Sequence, residues 1–343
     1  MTTDGNLSHA VSGVVHSRVV AQHDLHALGD VLVTRQQESR ETASAQIGYH
    51  ADRPILVTGA TGQQGGAVLR HLRTQGFAVQ ALTRDVDSPA ARTLATTGVG
   101  VIQGHFDDRA SLERARDGAY GAYAVQTPWQ SGGVESELRQ GIAFADAAKA
   151  AGIQHLVYSS VGSADRQTGI PHFESKYQIE EHIRVIGLPH TILRPVFLME
   201  NFLSNRDAIV RGTLAEPLMT ATQLQLVAVD DIGAFAALAF AEPEQWIGRA
   251  IELAGDELTM PQAAERLGRV IGRPVQYVQV PMAEFRRTMG EEMARMFTWF
   301  NQVGYGADLP ALRAIYPALT TLEQWLRSTG WQGAAAEAAT RRT

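Results

Sequence analysis

From Arg53 onward, short unbroken apolar runs alternate with stretches whose apolar residues recur every three or four positions. The runs read as buried strands and the periodic stretches as amphipathic helices. Ile55-Leu56-Val57 is the first run. A glycine-rich turn follows, then a helical stripe through Val68, Leu69 and Leu72 that stops at Gly76. Phe77–Leu82, Gly100–Ile102 and Ala122–Val125 read as the next three strands. A helix through Leu138, Ile142, Ala145 and Ala148 ends at Gly152. His155–Tyr158 is a fifth strand, a helix through Ile179 and Ile183 closes at Gly187, and Thr191–Leu193 is a sixth strand. Strands alternating with helices at this spacing predict βαβ units and a doubly wound parallel sheet of the α/β class.

After Pro195 the rhythm changes. Asp230 or Asp231 is placed to cap a helix through Phe235 and Leu238. Thr259-Met260-Pro261 opens another helix that ends at Gly272. Val275–Val280 reads as a strand, and 282–300 and 320–328 as helices. A smaller C-terminal α+β lobe packed against the sheet is expected. The division is then a core over about 54–195, a substrate lobe over about 196–330 and a frayed tail over 331–343. Residues 1–50 carry one weak apolar period, through Val14, Val19, Leu25, Leu28 and Leu32, and are expected to form a poorly ordered extension.

Composition removes several classes of function. The 343 residues are 45% apolar and 19% charged, ordinary for a globular chain. The absence of cysteine excludes disulfides, thiolate metal sites and a cysteine nucleophile. His23 and His26 sit three apart, but no carboxylate cluster joins them and no metal site is expected. A net charge of −6 with no strongly basic stretch argues against direct nucleic-acid binding. No apolar run reaches the length of a membrane span and no secretory leader is visible, so a cytoplasmic protein is expected. Of 30 basic residues only Lys149 and Lys176 are lysines, which singles out both, because lysine can trade a proton and arginine cannot.

The strongest motif is Thr58-Gly59-Ala60-Thr61-Gly62-Gln63-Gln64-Gly65-Gly66, placed after the first strand and opening the first helix. In that context it reads as a dinucleotide-binding Rossmann turn. Gly59 permits the tight turn, Gly62 lets backbone approach a pyrophosphate, and Gly65 lets helix and strand close together. The helix N-terminus offers amides and a favourable dipole to phosphate. The second strand ends Leu82-Thr83-Arg84, without the acidic residue that binds a free ribose 2′-hydroxyl. Arg84 is placed for a 2′-phosphate, which favours NADP(H) over NAD, with a solvated strand-end arginine as the other possibility.

These residues occur in order with Gly104-His105-Phe106-Asp107-Asp108, Pro171-His172-Phe173-Glu174-Ser175-Lys176 and Met199-Glu200-Asn201-Phe202-Leu203-Ser204. Together with Val227–Gly233 and Trp299–Gly306 they make residues 54–330 similar to the NmrA-like family of atypical short-chain dehydrogenase/reductases. The resemblance implies a core that binds NADP(H) and a cleft between core and lobe. By motif, Gly59, Ala60, Thr61, Gly62, Gln63, Gln64 and Gly65 would cradle the pyrophosphate, and Arg84 the 2′-phosphate. His105 and Phe106 would border the adenine, and Gln126, Thr127 and Pro128 would line the path to the nicotinamide. Lys176 would reach the nicotinamide ribose, and Leu198, Met199, Glu200 and Asn201 would close over that end. Trp129 would shield the nicotinamide at the cleft mouth.

Ordinary short-chain reductases carry Tyr-x-x-x-Lys. Here the residue four before Lys176 is His172, and Tyr177 faces elsewhere on a helix. Two readings follow. One is an NADPH-dependent oxidoreductase acting on a small quinone-like or aromatic acceptor, with Lys176 supplying charge and His172 as candidate proton donor. The other is a non-catalytic NADP(H) sensor that controls a protein partner such as a transcription factor. The chain would act as a monomer or homodimer. Ser159 and Ser160 are strand-end candidates to bind a substrate carbonyl. Asp107-Asp108 reads as a strand-end and helix-cap pair. The Met- and aromatic-rich segment 285–300 reads as lobe core or pocket wall.

Overall fold

The computed structural model describes residues 54–108, 110–112, 118–332 and 334. The N-terminal extension lies outside the described residues. In chain order the core elements are β1 (Ile55–Thr58), α1 (Gln63–Thr74), β2 (Val79–Thr83), α2 (Pro89–Thr96), β3 (Gly100–Gln103), β4 (Gly121–Ala124), α3 (Gly133–Ala150), β5 (His155–Ser159), α4 (Pro171–Val185) and β6 (His190–Pro195). Beyond them lie β7 (Phe197–Leu198), α5 (Arg206–Val210), β8 (Thr213–Glu216), β9 (Gln223–Val227), α6 (Val229–Ala241), α7 (Pro243–Trp246), β10 (Ala250–Leu253) and β11 (Asp256–Thr259). The chain continues through α8 (Met260–Ile271), β12 (Gln276–Gln279), α9 (Met282–Met289), α10 (Glu291–Gln302), α11 (Leu309–Ile315) and α12 (Leu322–Ser328).

Seven strands form one sheet in the order β10-β6-β5-β4-β1-β2-β3, with every pairing parallel. The first six run 3-2-1-4-5-6, the doubly wound order in which ligands sit beyond the strands' carboxyl ends, at the switch between β1 and β4. The two-residue period of each strand feeds two cores. Ile55, Val57, Tyr123 and Val157 point to the face covered by α1 and α6. Leu56, Ala122, Ala124, Leu156 and Tyr158 point to the face covered by α3 and α4. Burial on both faces explains why these strands read as unbroken apolar runs.

The lobe has its own core, built from Phe202, Leu226, Met260, Leu267, Phe297, Phe300 and Trp325 around two small sheets, β11-β9-β7 and β12-β8. Several expectations change here. Asp230 and Asp231 do not cap α6, because Ala228 occupies that position and both acids lie in the first turn. The helix expected over 282–300 is two helices, broken at Gly290 with φ 89°. The frayed tail does not begin at 331, since Trp331 is fully buried beside Trp325 and under the Arg206 guanidinium. Among the described residues no helix is long and apolar enough to cross a membrane.

Candidate functional site

The glycine loop is built for close approach. Gly59 has φ +62° and its carbonyl accepts the Gly62 amide at 2.8 Å, which turns the chain from β1 into α1. A Cβ on Gly65 would lie 2.3 Å from the Gly59 carbonyl oxygen, so only glycine lets α1 start this close to the strand end. Thr58 Oγ1 accepts the Val125 amide at 3.0 Å and ties the ends of β1 and β4. No side chain caps α1 and no acid sits in its first turn, so its positive dipole end is left for another group. Thr61, Gly62 and Gln63 are exposed and Ala60 is buried. The Gln64 side chain turns inward, where its Oε1 accepts the hydroxyls of Tyr123 at 3.2 Å and Ser159 at 2.8 Å.

Arg84 lies exposed beyond β2 and donates to Gln130 Oε1 at 3.2 Å. With His105, Asp107, Ser136 and Arg139 it lines an open cavity of about 640 Å³. Arg139, which sequence reasoning passed over, donates from Nε and a terminal nitrogen to Asp107 Oδ1 at 3.1 and 3.0 Å. Burial alone would raise the Asp107 pKa, but hydrogen bonds from Gln140 and Arg139 hold it below its ordinary value. Asp107 is thus spent on α3. Asp108 Oδ1 accepts the Ser111 amide at 3.1 Å, as a helix cap does. The Phe106 ring packs edge-on against Phe144.

The ends of β4 and α4 meet at a polar centre. Lys176 Nζ donates to the Gln126 carbonyl at 3.1 Å and lies 2.8 Å from Glu137 Oε1. Ser175 donates to Glu137 Oε2 at 2.6 Å. Glu137 is fully buried, and its placement follows from one glycine. A Cβ on Gly141 would fall 2.3 Å from Ile179 Cδ1, so Gly141 lets α3 and α4 touch. Glu137 and Ser175 sit one turn earlier on the two helices and are brought together by the same contact. Gln126 is 4% exposed, yet neither atom of its side-chain amide has a partner.

Around this centre Thr127 is half-buried and Pro128 buried, while Trp129 is 66% exposed. The Trp129 ring lies 5.2 Å from that of His172, one turn before Lys176 on α4. His172 Nδ1 lies 2.6 Å from Glu292 Oε1 on α10. Desolvation lowers the His172 pKa, against the raising influence of Glu292.

Other expected residues also hold the fold together. Met199 is fully buried in the lobe core. Glu200 accepts the Val229 amide and Trp325 Nε1 at 2.9 Å, joining α6 to α12. Leu198 is half-buried and Asn201 exposed. Ser159 and Ser160 are also committed, to Gln64 and to the buried Glu180, and neither is free for a substrate carbonyl. Of segment 285–300, Phe297 and Phe300 take the expected place in the lobe core, while Met289 is exposed.

Comparison with known proteins adds the following. The model of the NmrA-like family matches residues 51–326. The chain is 32% identical over 228 residues to the (4-alkanoyl-5-oxo-2,5-dihydrofuran-3-yl)methyl phosphate reductase of Streptomyces griseus, covering 66% of this chain and 77% of that protein. It is 28% identical over 280 residues to the nitrogen metabolite repression protein nmrA of Emericella nidulans, covering 77% and 75%. An NADPH-dependent quinone oxidoreductase from Escherichia coli, solved with NADPH, superposes with a TM-score of 0.68 at 25% identity, over 80% of this chain and 99% of that one.

Proposed function

The chain belongs to the NmrA-like family, and on that premise we propose that it binds NADP(H) and reduces a small quinone-like or aromatic acceptor. The observation that carries the reading is the buried, unpartnered amide of Gln126 beside Lys176. Leaving a buried amide unpaired costs about 1–3 kcal/mol. A nicotinamide carboxamide offers the donor and acceptor that this amide lacks. The uncapped α1 N-terminus, brought close to the end of β1 by Gly65, fits a pyrophosphate in the same way.

In this reading Gly59 through Gly65 hold the pyrophosphate through backbone, and Arg84 pairs with the 2′-phosphate. His105 and Phe106 border the adenine, Gln126, Thr127 and Pro128 line the nicotinamide end, and Lys176 reaches the ribose. The dinucleotide supplies a hydride when bound. Lys176, steadied by Glu137, places a positive charge near an acceptor oxygen that gains negative charge on reduction. A quinone suits a site without the tyrosine of ordinary short-chain reductases, because a hydroquinone anion is stable enough to wait for its proton. His172, one turn before Lys176 on α4, is the candidate proton donor.

The test is NADPH oxidation against a panel of small quinones, with NADPH binding followed by fluorescence. Wild type should turn over, and Lys176→Met paired with Glu137→Leu, which strands no buried charge, should lose turnover while binding NADPH more weakly. Binding without turnover on every acceptor would favour the second reading, an NADP(H) sensor acting on a protein partner. The similarity to a repression protein supports that reading. So does the commitment of Lys176 to protein partners.

A further inference from the structure

Resting on the reductase reading, we propose that Glu292 is a positioning residue that orients His172, so that the imidazole delivers its proton from Nε2 to an acceptor lying against Trp129. Glu292 lies in the first turn of α10, and that helix begins there because Gly290 breaks the chain with φ 89°. Three residues on, Arg295 donates to the Gly169 carbonyl at 2.8 Å. Both side chains therefore grip the start of α4, one from each end of a helical turn. An ionised carboxylate only accepts, so the 2.6 Å contact places a proton on His172 Nδ1. Nε2 has no hydrogen-bond partner among the described residues and is the atom left for proton transfer. The Trp129 ring stands beside the imidazole at an interplanar angle of 57° and is itself open to solvent, which gives a flat acceptor a surface to lie on.

The step balances as follows. Bound NADPH would supply the hydride, and the quinone takes up that electron pair. The Nε2–H bond of His172 breaks, an O–H bond forms on the reduced acceptor, and water returns the proton to the imidazole. Only the doubly protonated imidazole can donate from Nε2 while keeping Nδ1–H on Glu292. The groups facing His172 are Glu292 on α10, Lys176 on its own helix and Glu137 on α3. Desolvation and Lys176 disfavour the cation, and the two carboxylates favour it. Reduction should therefore fall as pH rises through the imidazole pKa. Removing the Glu292 charge should move that fall to lower pH.

The experiment has two arms on the full-length protein. The first is NMR titration of the His172 ring nitrogens without dinucleotide, in wild type, Glu292→Gln and Glu292→Asp. The second is the pH profile of NADPH oxidation by 1,4-naphthoquinone in the same three proteins. The expected result is a lower midpoint in Glu292→Gln in both arms, with Glu292→Asp in between. An unchanged NMR midpoint would overturn the assignment of Glu292. A shifted NMR midpoint with an unshifted rate profile would remove His172 from the proton step. Absence of turnover in a wild type that binds NADPH would overturn the reductase reading and proton delivery with it, while the first arm still decides what Glu292 does to the imidazole.

Discussion

At the scale of single residues, the centre is an ion pair with almost no access to water. Glu137 is 0% and Lys176 8% exposed. Removing one partner of a buried pair strands the other charge, at a cost of about 3–5 kcal/mol. Glu137→Leu should destabilise the fold by that amount in urea titration. The double variant Glu137→Leu with Lys176→Met should cost less than Glu137→Leu alone, and a larger loss would show that the charges are not coupled. Arg84 should act on cofactor choice and little on stability, because its side chain is exposed and donates to Gln130 at the surface. A hydrogen bond to a charged group contributes roughly 1.5–3 kcal/mol. Arg84→Ala should therefore reduce the preference for NADPH over NADH by about tenfold or more in fluorescence titrations. Lys176 stood out in the sequence because lysine is scarce. Glu137 and Glu292 did not, since a glutamate on a helix announces neither burial nor a partner 38 or 120 residues away.

Among elements, contact between α3 and α4 sets the geometry of the centre. Gly141→Ala forces a methyl into Ile179 and should cost about 1–3 kcal/mol by overpacking. It should also separate Glu137 from Lys176. A Gly141→Ala protein with wild-type stability would contradict this account of how the two helices meet. β1, β4 and β5 were legible because burial on both faces gives unbroken apolar runs. β10 was not: Ala-Ile-Glu-Leu is short, carries a charge and pairs at the sheet edge with β6. In the lobe, β7, β9 and β11 escaped notice because Gln223–Val227 and Asp256–Thr259 mix polar and apolar residues in pieces too brief for a period. The break at Gly290 was missed because its neighbours on both sides are good helix formers. Only its positive φ reveals the turn.

For the molecule as a whole, core and lobe are joined by buried acids. Asp231 on α6 accepts the Thr320 amide at 3.0 Å and the Thr320 hydroxyl at 2.9 Å. Burial pushes its pKa from 3.8 up to about 6. The folded state therefore holds this proton more tightly than the unfolded chain, and Asp231 lowers stability as pH rises from 3.8 to about 6. A shift of that size corresponds to about 3 kcal/mol. Asp231→Asn should flatten that part of the stability–pH curve relative to wild type, measured by urea denaturation across the interval. A parallel curve would place the proton elsewhere. The fold class and glycine loop were readable because both are written in local spacing. The packing of Met199 and Glu200 was not, since nothing local in the sequence marks the lobe core that buries one or the bonds to α6 and α12 that hold the other. The central claim is that the glycine loop and the Gln126–Lys176 centre form one NADP(H) site. It is tested most directly by NADPH fluorescence titration of wild type, Gly65→Ala and Gln126→Leu. Saturable binding in wild type, weakened about tenfold or more, ~1.4 kcal/mol, in both variants is the predicted result. Equal binding in all three proteins, or none in wild type, would contradict it.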